Sequence, residues 1–198
     1  MHFNENEIIT NFYNTYKNSK RMSWYVKDSS LYTWLPDSII HELKNITKVA
    51  SFDLDWTLVK PRYAKFPVNF EDNVIMDNRI NTLKKYIDSG YTIVIFSNQK
   101  VTNKESVEYK LKRMNDVIAK FSKHGITIIL MMATKDDKYR KPEIGMLNEF
   151  KLGAPNAGLS VSFYCGDAAG RPNDFSDSDL QFAKNIGITF YIPEQIFN

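Results

Sequence analysis

Two aspartates two residues apart, Asp53 and Asp55, follow an apolar run in the segment VASFDLDWTL at residues 49–58. The run is typical of a buried strand, and in a strand residues i and i+2 point to the same face. Both carboxylates are therefore expected to project from the carboxyl end of a strand, where open α/β sheets bind their ligands. Two such charges repel each other unless they share a proton or a cation, and Mg²⁺ is a cation that prefers oxygen ligands. The alternative is a pair of solvated carboxylates in a turn.

Polar residues recur where later apolar runs end. Strands are predicted over 91–96 and 161–165, and a helix is predicted to begin at 142. Next to these elements stand Ser97, Asn98, Lys141 and Asp167. Since the carboxyl ends of parallel strands meet at one edge of a sheet, these residues are expected to gather near the aspartate pair. Taken singly, Ser97 is also typical of an ordinary polar residue in a turn, and Lys141 of a solvated surface lysine.

The order of the predicted elements indicates the fold. From residue 49 onward, apolar runs typical of strands alternate with amphipathic helical patterns, several of which end at a glycine. The predicted strands are 49–54, 91–96, 126–132, 161–165 and 188–191, and the predicted helices are 78–89, 103–124, 142–150 and 177–186. Such alternation indicates an α/β fold in which helices cover both faces of a parallel sheet.

Residues 1–48 form a predicted extension of this core. An amphipathic helix is predicted over 5–19, and two short strands over 22–26 and 31–35 flank a tight turn. No linker rich in Gly, Ser or Pro separates the extension from residues 49–198. The extension is therefore expected to pack on the core as part of the same domain.

Size and composition fit a globular protein. The chain has 198 residues, of which 43% are apolar and 25% charged, and a net charge of +3. No apolar run approaches the roughly 20 residues of a membrane helix, and the N-terminus lacks a signal-peptide pattern. One cysteine excludes an internal disulfide, and three scattered histidines disfavour a zinc site. A soluble, intracellular monomer is expected.

The motifs, and their order along the chain, resemble those of the haloacid dehalogenase superfamily. Within it, they resemble the polynucleotide kinase 3′-phosphatase family. The resemblance is carried by FDLD at 52–55, VIFSNQ at 94–99, YRKP at 139–142, GDAAGRP at 166–172 and DFS at 174–176. It implies a three-layer Rossmann-like fold and an Mg²⁺-dependent phosphatase. The substrate that it implies is the 3′-phosphate of DNA ends in strand-break repair, in the nucleus or wherever DNA is replicated or repaired. No Gly-x-x-x-x-Gly-Lys-Ser/Thr loop occurs, so a 5′-kinase half is not expected.

The resemblance also implies roles for individual residues. Asp53 is expected to be the nucleophile that forms an aspartyl-phosphate, and Asp55 the general acid and base. Mg²⁺ is expected to bind Asp53, the backbone carbonyl of Asp55, and Asp167, while Lys141 balances the negative charges. The residues expected to contact the substrate or to fix its loop are Thr57, Ser97, Asn98, Lys104, Arg140 and Arg171.

Asp179 and Trp56 leave alternatives open. Asp179, which opens a helical pattern after Asp167, either holds Lys141 or a metal-bound water, or only stabilises the helix N-terminus. Trp56 stands where the superfamily usually has glycine. Its ring either forms a lid or stacks on a base, or it packs under the following loop.

Loop lengths indicate the size of the substrate. Superfamily members that act on small metabolites often carry a cap domain, inserted after the first or the third strand of the core. The corresponding segments here, 59–77 and 133–140, are too short for a folded domain. A capless, open site ringed by basic and aromatic side chains is therefore expected, which suits the end of a DNA strand.

Three other functions are compatible with the sequence. A small-molecule phosphatase of the histidinol-phosphatase type would keep the same fold and metal chemistry. A DNA-end-binding module that has lost catalysis would account for the unusual Trp56. The segment from Cys165 to Arg171 also matches the Cys-x₅-Arg signature of cysteine-dependent phosphatases. However, Asp167 within it would repel a phosphate, and Cys165 is interpreted as a buried strand residue.

Overall fold

The computed structural model describes residues 24–102 and 106–198. The helix predicted over 5–19, the first two residues of the strand predicted over 22–26, and the site residue Lys104 lie outside these ranges. Within the described ranges, no helix combines the length and the apolar character that a bilayer span requires.

The described residues form a central sheet and a small hairpin. The strands are β1 (Trp24–Lys27), β2 (Leu31–Trp34), β3 (Lys48–Phe52), β4 (Val59–Lys60), β5 (Val74–Ile75), β6 (Thr92–Asn98), β7 (Ile128–Ala133), β8 (Ser160–Cys165) and β9 (Thr189–Tyr191). The central sheet has the order β1–β2–β7–β6–β3–β8–β9, and β4 and β5 form a separate two-stranded sheet. From β7 to β9 all neighbours are parallel, which confirms the predicted parallel core.

Helices cover both faces of the sheet because side chains alternate along its strands. The helices are α1 (Asp37–Ile40), α2 (Arg79–Asp88), α3 (Val107–Lys123), α4 (Gly145–Gly153), α5 (Ser178–Ile186) and α6 (Pro193–Ile196). In β6, Val94 and Phe96 belong to the apolar cluster that includes α4 and α5. Ile93 and Ile95 belong to the cluster that includes α2 and α3. The three layers confirm the predicted α/β fold class.

The N-terminal hairpin extends the central sheet. Strand β2 pairs antiparallel with β7, so that Tyr32 lies opposite Met132, and β1 pairs antiparallel with β2. In the turn between β1 and β2, the Asp28 carboxylate accepts a hydrogen bond of 2.6 Å from the Tyr139 hydroxyl. The hairpin thereby supports the loop that carries Lys141.

The fold differs from the prediction in several parts, among them the short helices α1 and α6, which were not predicted. The helix predicted to begin at 142 begins three residues later, at Gly145, because residues 138–144 form a turn closed by the Gly145 N–H bonding to the Lys138 carbonyl at 3.1 Å. The Lys141–Pro142 peptide bond in this turn is cis. The hairpin of β4 and β5 was not predicted, since each of its strands has only two residues.

Candidate active site

Backbone hydrogen bonds align the carboxyl ends of neighbouring strands. The Asp53 N–H donates to the Cys165 carbonyl at 2.8 Å, and the Gln99 N–H donates to the Ala133 carbonyl at 2.8 Å. The polar residues that follow these strands therefore meet around one cavity of about 540 Å³. The predicted site residues that line it are Asp53, Asp55, Asn98, Arg140, Lys141, Asp167 and Asp179.

Lys141 lies at the centre of a buried charged cluster. Its ammonium contacts the Asp53 carboxylate at 2.5 Å and the Asp179 carboxylate at 2.8 Å, and donates to the Tyr164 hydroxyl at 2.7 Å. The Asn98 side chain fixes the Lys141 backbone, because it accepts from its N–H at 2.9 Å and donates to its carbonyl at 3.0 Å. Asn98, which was predicted among the residues around the substrate, thus positions Lys141 through its side chain.

A third carboxylate, that of Asp167, lies close to the two that contact this ammonium. Oxygen atoms of Asp53, Asp167 and Asp179 lie within 4.8 Å of one another. Burial, reinforced by Asp179, raises the pKa of Asp167 to about 6. Burial also raises the pKa of Asp53 well above its usual value, since Lys141 only partly opposes burial and the repulsion from Asp179 and Asp167.

The same three carboxylates fit a divalent cation. A bound cation would offset their excess negative charge, and carboxylate oxygens are the ligands that Mg²⁺ prefers. Asp53 and Asp167 are the side chains predicted for this role, and the geometry adds Asp179 as a third candidate.

Asp179 is held in place from several sides. It lies in the first turn of α5, its side chain is 2% exposed, and one oxygen accepts from the Ala168 N–H at 3.0 Å. A Cβ atom on Gly166 would lie 2.3 Å from that oxygen, so only glycine allows this approach. Asp179 was expected either to hold Lys141 or a metal-bound water, or only to stabilise the helix N-terminus. Its contact with Lys141 is present in the structure.

Asp55 is held differently, by an arginine that sequence reasoning missed. Both terminal nitrogens of Arg113 donate to the Asp55 carboxylate, one of them at 3.2 Å, and the Gln99 side chain donates to it at 2.6 Å. Burial raises the pKa of Asp55, but Arg113 and Gln99 outweigh burial, so the pKa is lowered overall. The Asp55 side chain thus has its own cation and lies outside the group of three carboxylates.

Arg113 had a signal in the sequence. Lys110 and Arg113 are buried on the same face of α3 as Met114, Val117 and Phe121. Charged residues on the apolar face of an amphipathic helix are rarely buried without a partner. The helical spacing alone therefore marks Arg113, although not the partner that it finds.

Replacing Arg113 with glutamine should move the pH dependence of activity. The lowered pKa of Asp55 depends on the positive charge of Arg113, so removing that charge raises the pKa. The inflection of kcat/KM that Asp55 controls is therefore expected at higher pH, and kcat is expected to fall roughly tenfold to hundredfold because Asp55 is less firmly placed. The measurement is a pH–rate profile. Lys112→Gln, on the exposed side of α3, is the matched control and should keep the original profile.

Three predicted site residues are not among those that line the cavity. Ser97 is 1% exposed and accepts from the Gln99 side chain at 2.8 Å. Thr57 is fully buried, and its hydroxyl has no hydrogen-bond partner within 24–102 and 106–198. Arg171 pairs with Asp174 at 2.9 Å and donates to the Asp167 carbonyl at 3.2 Å. The structure gives no support to direct substrate contact by Ser97 or Arg171, and the Arg171 contacts instead stabilise the loop that presents Asp167.

Arg140 combines a structural contact with an unused donor. Its Nε pairs with Asp136 at 3.1 Å, and the same carboxylate binds Lys100. Its Nη1 is buried and has no hydrogen-bond partner in the described part of the chain. Arg140 also lines the cavity, so its guanidinium places positive charge where an anionic ligand would bind.

Cys165 does not have the environment of a reactive cysteine. Its side chain is fully buried, and it is not among the residues that line the cavity. Burial raises the pKa of its thiol, which disfavours the thiolate that nucleophilic attack requires. The interpretation of Cys165 as a buried strand residue is confirmed.

Known proteins share this sequence pattern. The model of a family described as polynucleotide kinase 3 phosphatase matches residues 48–197. A bifunctional polynucleotide phosphatase/kinase of Schizosaccharomyces pombe is 39% identical over 161 residues, which are 79% of this chain and 39% of that protein. A polynucleotide 3′-phosphatase of Saccharomyces cerevisiae is 31% identical over 223 residues, covering 82% of this chain and 92% of that protein.

A solved structure supports the fold independently. The D,D-heptose 1.7-bisphosphate phosphatase of B. bronchiseptica, which was solved with magnesium and phosphate, matches with a TM-score of 0.58 and 15% sequence identity. The match covers 73% of this chain and 79% of that one. At this level of identity the likeness concerns the fold alone.

Proposed function

This chain belongs to the polynucleotide kinase 3 phosphatase family, and we propose that it hydrolyses the phosphate monoester at the 3′ end of a DNA strand. The proposal rests on two aspartates that line the same cavity. Asp53 contacts Lys141 at 2.5 Å, and Asp55 is held separately, by contacts that include the Gln99 side chain. The product would be a 3′-hydroxyl, the end that strand-break repair requires for further synthesis or ligation.

Asp53 is the proposed nucleophile. One of its carboxylate oxygens attacks phosphorus, the bond from phosphorus to the 3′ oxygen breaks, and an aspartyl-phosphate forms. Lys141 lies against the same carboxylate, where it keeps the nucleophile in place and balances the charge of the phosphoryl group. Mg²⁺, when bound by Asp53, Asp167 and Asp179, would reduce the repulsion between a carboxylate and a doubly negative phosphate.

Asp55 is the proposed general acid and base. It protonates the leaving 3′ oxygen and later removes a proton from the water that hydrolyses the aspartyl-phosphate, which restores the Asp53 carboxylate. Arg113 keeps Asp55 ionised in the free protein. A phosphate placed beside Asp55 would raise its pKa, since a like charge disfavours a second negative charge. Substrate binding would therefore favour the protonated form that the first step needs.

The walls of the cavity favour a large substrate. The segment between β4 and β5, residues 61–73, is a loop and contributes Pro61, Lys65, Phe66 and Pro67 to the wall. With Lys100 and Arg140 also lining the cavity, positive charge is available next to the reacting phosphate. The flanking phosphates of a polynucleotide could bind to these basic side chains, whereas a small metabolite has no flanking phosphates.

The efficiency of hydrolysis should increase with the length of the oligonucleotide. If about two flanking phosphates are contacted, raising the salt concentration from about 50 to about 200 mM should lower kcat/KM for an oligonucleotide roughly sevenfold. A 3′-phosphorylated mononucleotide should be much less sensitive to salt. The measurement compares kcat/KM for the mononucleotide and a short oligonucleotide, each with a 3′-phosphate, at both salt concentrations.

Arg140→Gln is the matched variant for this series. It should weaken hydrolysis of the oligonucleotide more than that of the mononucleotide, because flanking phosphates are absent from the latter. Equal efficiency for both substrates, insensitive to salt, would instead favour a small-molecule phosphatase. Stoichiometric binding of the oligonucleotide without turnover would favour a DNA-end-binding module.

A further inference from the structure

Trp56 occupies a backbone position that suits glycine. Its φ angle is +59°, and its N–H closes the turn by donating to the Val59 carbonyl at 2.7 Å. Glycine adopts this left-handed conformation without steric cost, whereas a bulky side chain is strained in it. Strained residues of this kind concentrate at functional sites, where other interactions compensate for them. The tryptophan therefore needs an explanation beyond the local backbone.

The indole of Trp56 is not part of the core. It is 40% exposed and lies on the wall of the cavity. By contrast, Trp24 and Trp34 pack on each other with ring centroids 5.8 Å apart. Within 24–102 and 106–198, the Trp56 ring has no comparable ring contact and no hydrogen bond. Of the alternatives for Trp56, packing under the following loop is thus disfavoured, and a contact with the ligand is favoured.

The position of Trp56 in the chain specifies which part of the ligand it meets. Asp55 directly precedes it, and in the proposed reaction Asp55 protonates the oxygen that leaves phosphorus. The group attached to that oxygen is the deoxyribose of the terminal nucleotide, which carries a base. The side chain next to Asp55 on the cavity wall would therefore lie beside the nucleoside of the substrate rather than beside its phosphate.

We propose that the indole of Trp56 stacks on the base of the 3′-terminal nucleotide. Trp56 would then be a specificity-determining residue that selects nucleoside 3′-phosphates over phosphate esters without a base, an inference that rests on the proposed function. An indole presents a large π-face to any of the four bases, so the preference would be for the presence of a base and not for its identity.

The surroundings of Trp56 fit a base and its phosphates. Phe66 and Phe175 also line the cavity and are 66% and 82% exposed. The Lys65 ammonium lies 5.9 Å from the Phe66 ring centroid and 6.0 Å from that of Phe175. The entrance therefore offers aromatic surface and positive charge together, as a stacked base next to a phosphate requires.

The test compares two 3′-phosphorylated oligonucleotides that differ only in the terminal nucleotide. One carries a normal base there, and the other carries an abasic sugar. The wild-type protein should prefer the first by about tenfold or more in kcat/KM. In Trp56→Gly this ratio should fall towards one, and in Trp56→Phe it should stay close to the wild-type ratio, because phenylalanine keeps a π-face.

Two further readouts separate stacking from a structural role. Trp56→Gly should melt at the same temperature as the wild type or higher, since glycine relieves the strain of the left-handed turn. In Asp53→Asn, which should bind substrate without turnover, the oligonucleotide with a terminal base should quench tryptophan fluorescence. That quenching should be lost when Trp56→Phe is added, because Trp24 and Trp34 remain but do not reach the ligand.

The possible failures are distinguishable. If the wild-type protein hydrolyses 3′-phosphorylated oligonucleotides but its preference for a terminal base is unchanged in Trp56→Gly, the stacking role is wrong and the proposed function stands. A large drop in the melting temperature of Trp56→Gly with an unchanged preference would make Trp56 a structural residue. If no 3′-phosphorylated oligonucleotide is hydrolysed, the proposed function and the inference built on it are both overturned.

Discussion

Replacing Asp53 with asparagine should lower phosphatase turnover by roughly 10⁴-fold or more, the scale on which loss of a nucleophile acts. The amide cannot form the bond to phosphorus that the carboxylate forms. The fold should survive, because asparagine keeps the shape of the side chain and removes one of three crowded negative charges. The measurements are phosphate release from a 3′-phosphorylated oligonucleotide and a thermal melt of both proteins.

Cys165→Ser is the matched control for the nucleophile. Cys165 is buried behind the cavity wall and its thiol pKa is raised by burial, so this variant should keep its turnover. The cysteine-dependent mechanism makes the opposite forecast for the pair of variants. Normal turnover in Asp53→Asn together with its loss in Cys165→Ser would make Cys165 the nucleophile in place of Asp53.

Replacing Lys141 with methionine should damage both activity and stability. The Lys141 ammonium is the shared partner of Asp53, Asp179 and the Tyr164 hydroxyl, and removal of one partner from a buried ion pair costs about 3–5 kcal/mol. Turnover should fall because the nucleophile and the phosphoryl group lose their balancing charge. The measurement is the free energy of unfolding, from denaturant titration without metal, together with phosphate release.

The stability loss in Lys141→Met should depend on pH. Without the ammonium, the pKa values of Asp53 and Asp167 lie further above those of the unfolded chain, because Lys141 lowers both. A carboxyl group whose folded-state pKa is raised contributes stability at low pH that is lost as pH rises through that pKa. The deficit should therefore be smaller near pH 5 than near pH 8 (both about one unit or more from the value of about 6 for Asp167).

Lys138→Met serves as the control for this variant. Lys138 lies three residues earlier in the same loop, on the surface, where it pairs with Asp28 at 2.9 Å. Its loss should leave the unfolding curve and the turnover unchanged. An equal loss of stability in both variants would mean that the loop responds to any change of charge, and that the buried cluster around Lys141 has no special weight.

Much of the fold could be predicted from the sequence because its signals are local. The alternation of apolar strands and amphipathic helices predicted the parallel sheet, and the order of the strand ends predicted that Asp53, Asn98 and Asp167 would meet. The predicted helix start at Pro142 was wrong because proline tolerates a turn as well as a first helical position. The backbone contact from Gly145 to Lys138 that decides between them is a tertiary fact.

The site was less predictable where it depends on contacts between distant segments. Tyr164 has the pattern of an ordinary strand residue, yet its hydroxyl accepts a hydrogen bond from Lys141, 23 positions away. Arg113 and Asp55 are separated by 58 positions, and no sequence motif around either residue predicts their contact. The position of the Trp56 ring could not be predicted either. Only its φ angle and its exposure in the structure show that the ring lies on the cavity wall and is not packed under the following loop.

The sharpest test of the proposed 3′-phosphatase activity uses one oligonucleotide in two forms, phosphorylated at the 3′ end or at the 5′ end. We expect inorganic phosphate to be released from the 3′ form in the presence of Mg²⁺, EDTA to stop the release, and excess Mg²⁺ to restore it. The 5′ form, which has the same sequence and charge, should be inert. Equal release from both forms, no release from the 3′ form, or release that EDTA does not affect would overturn the proposed activity.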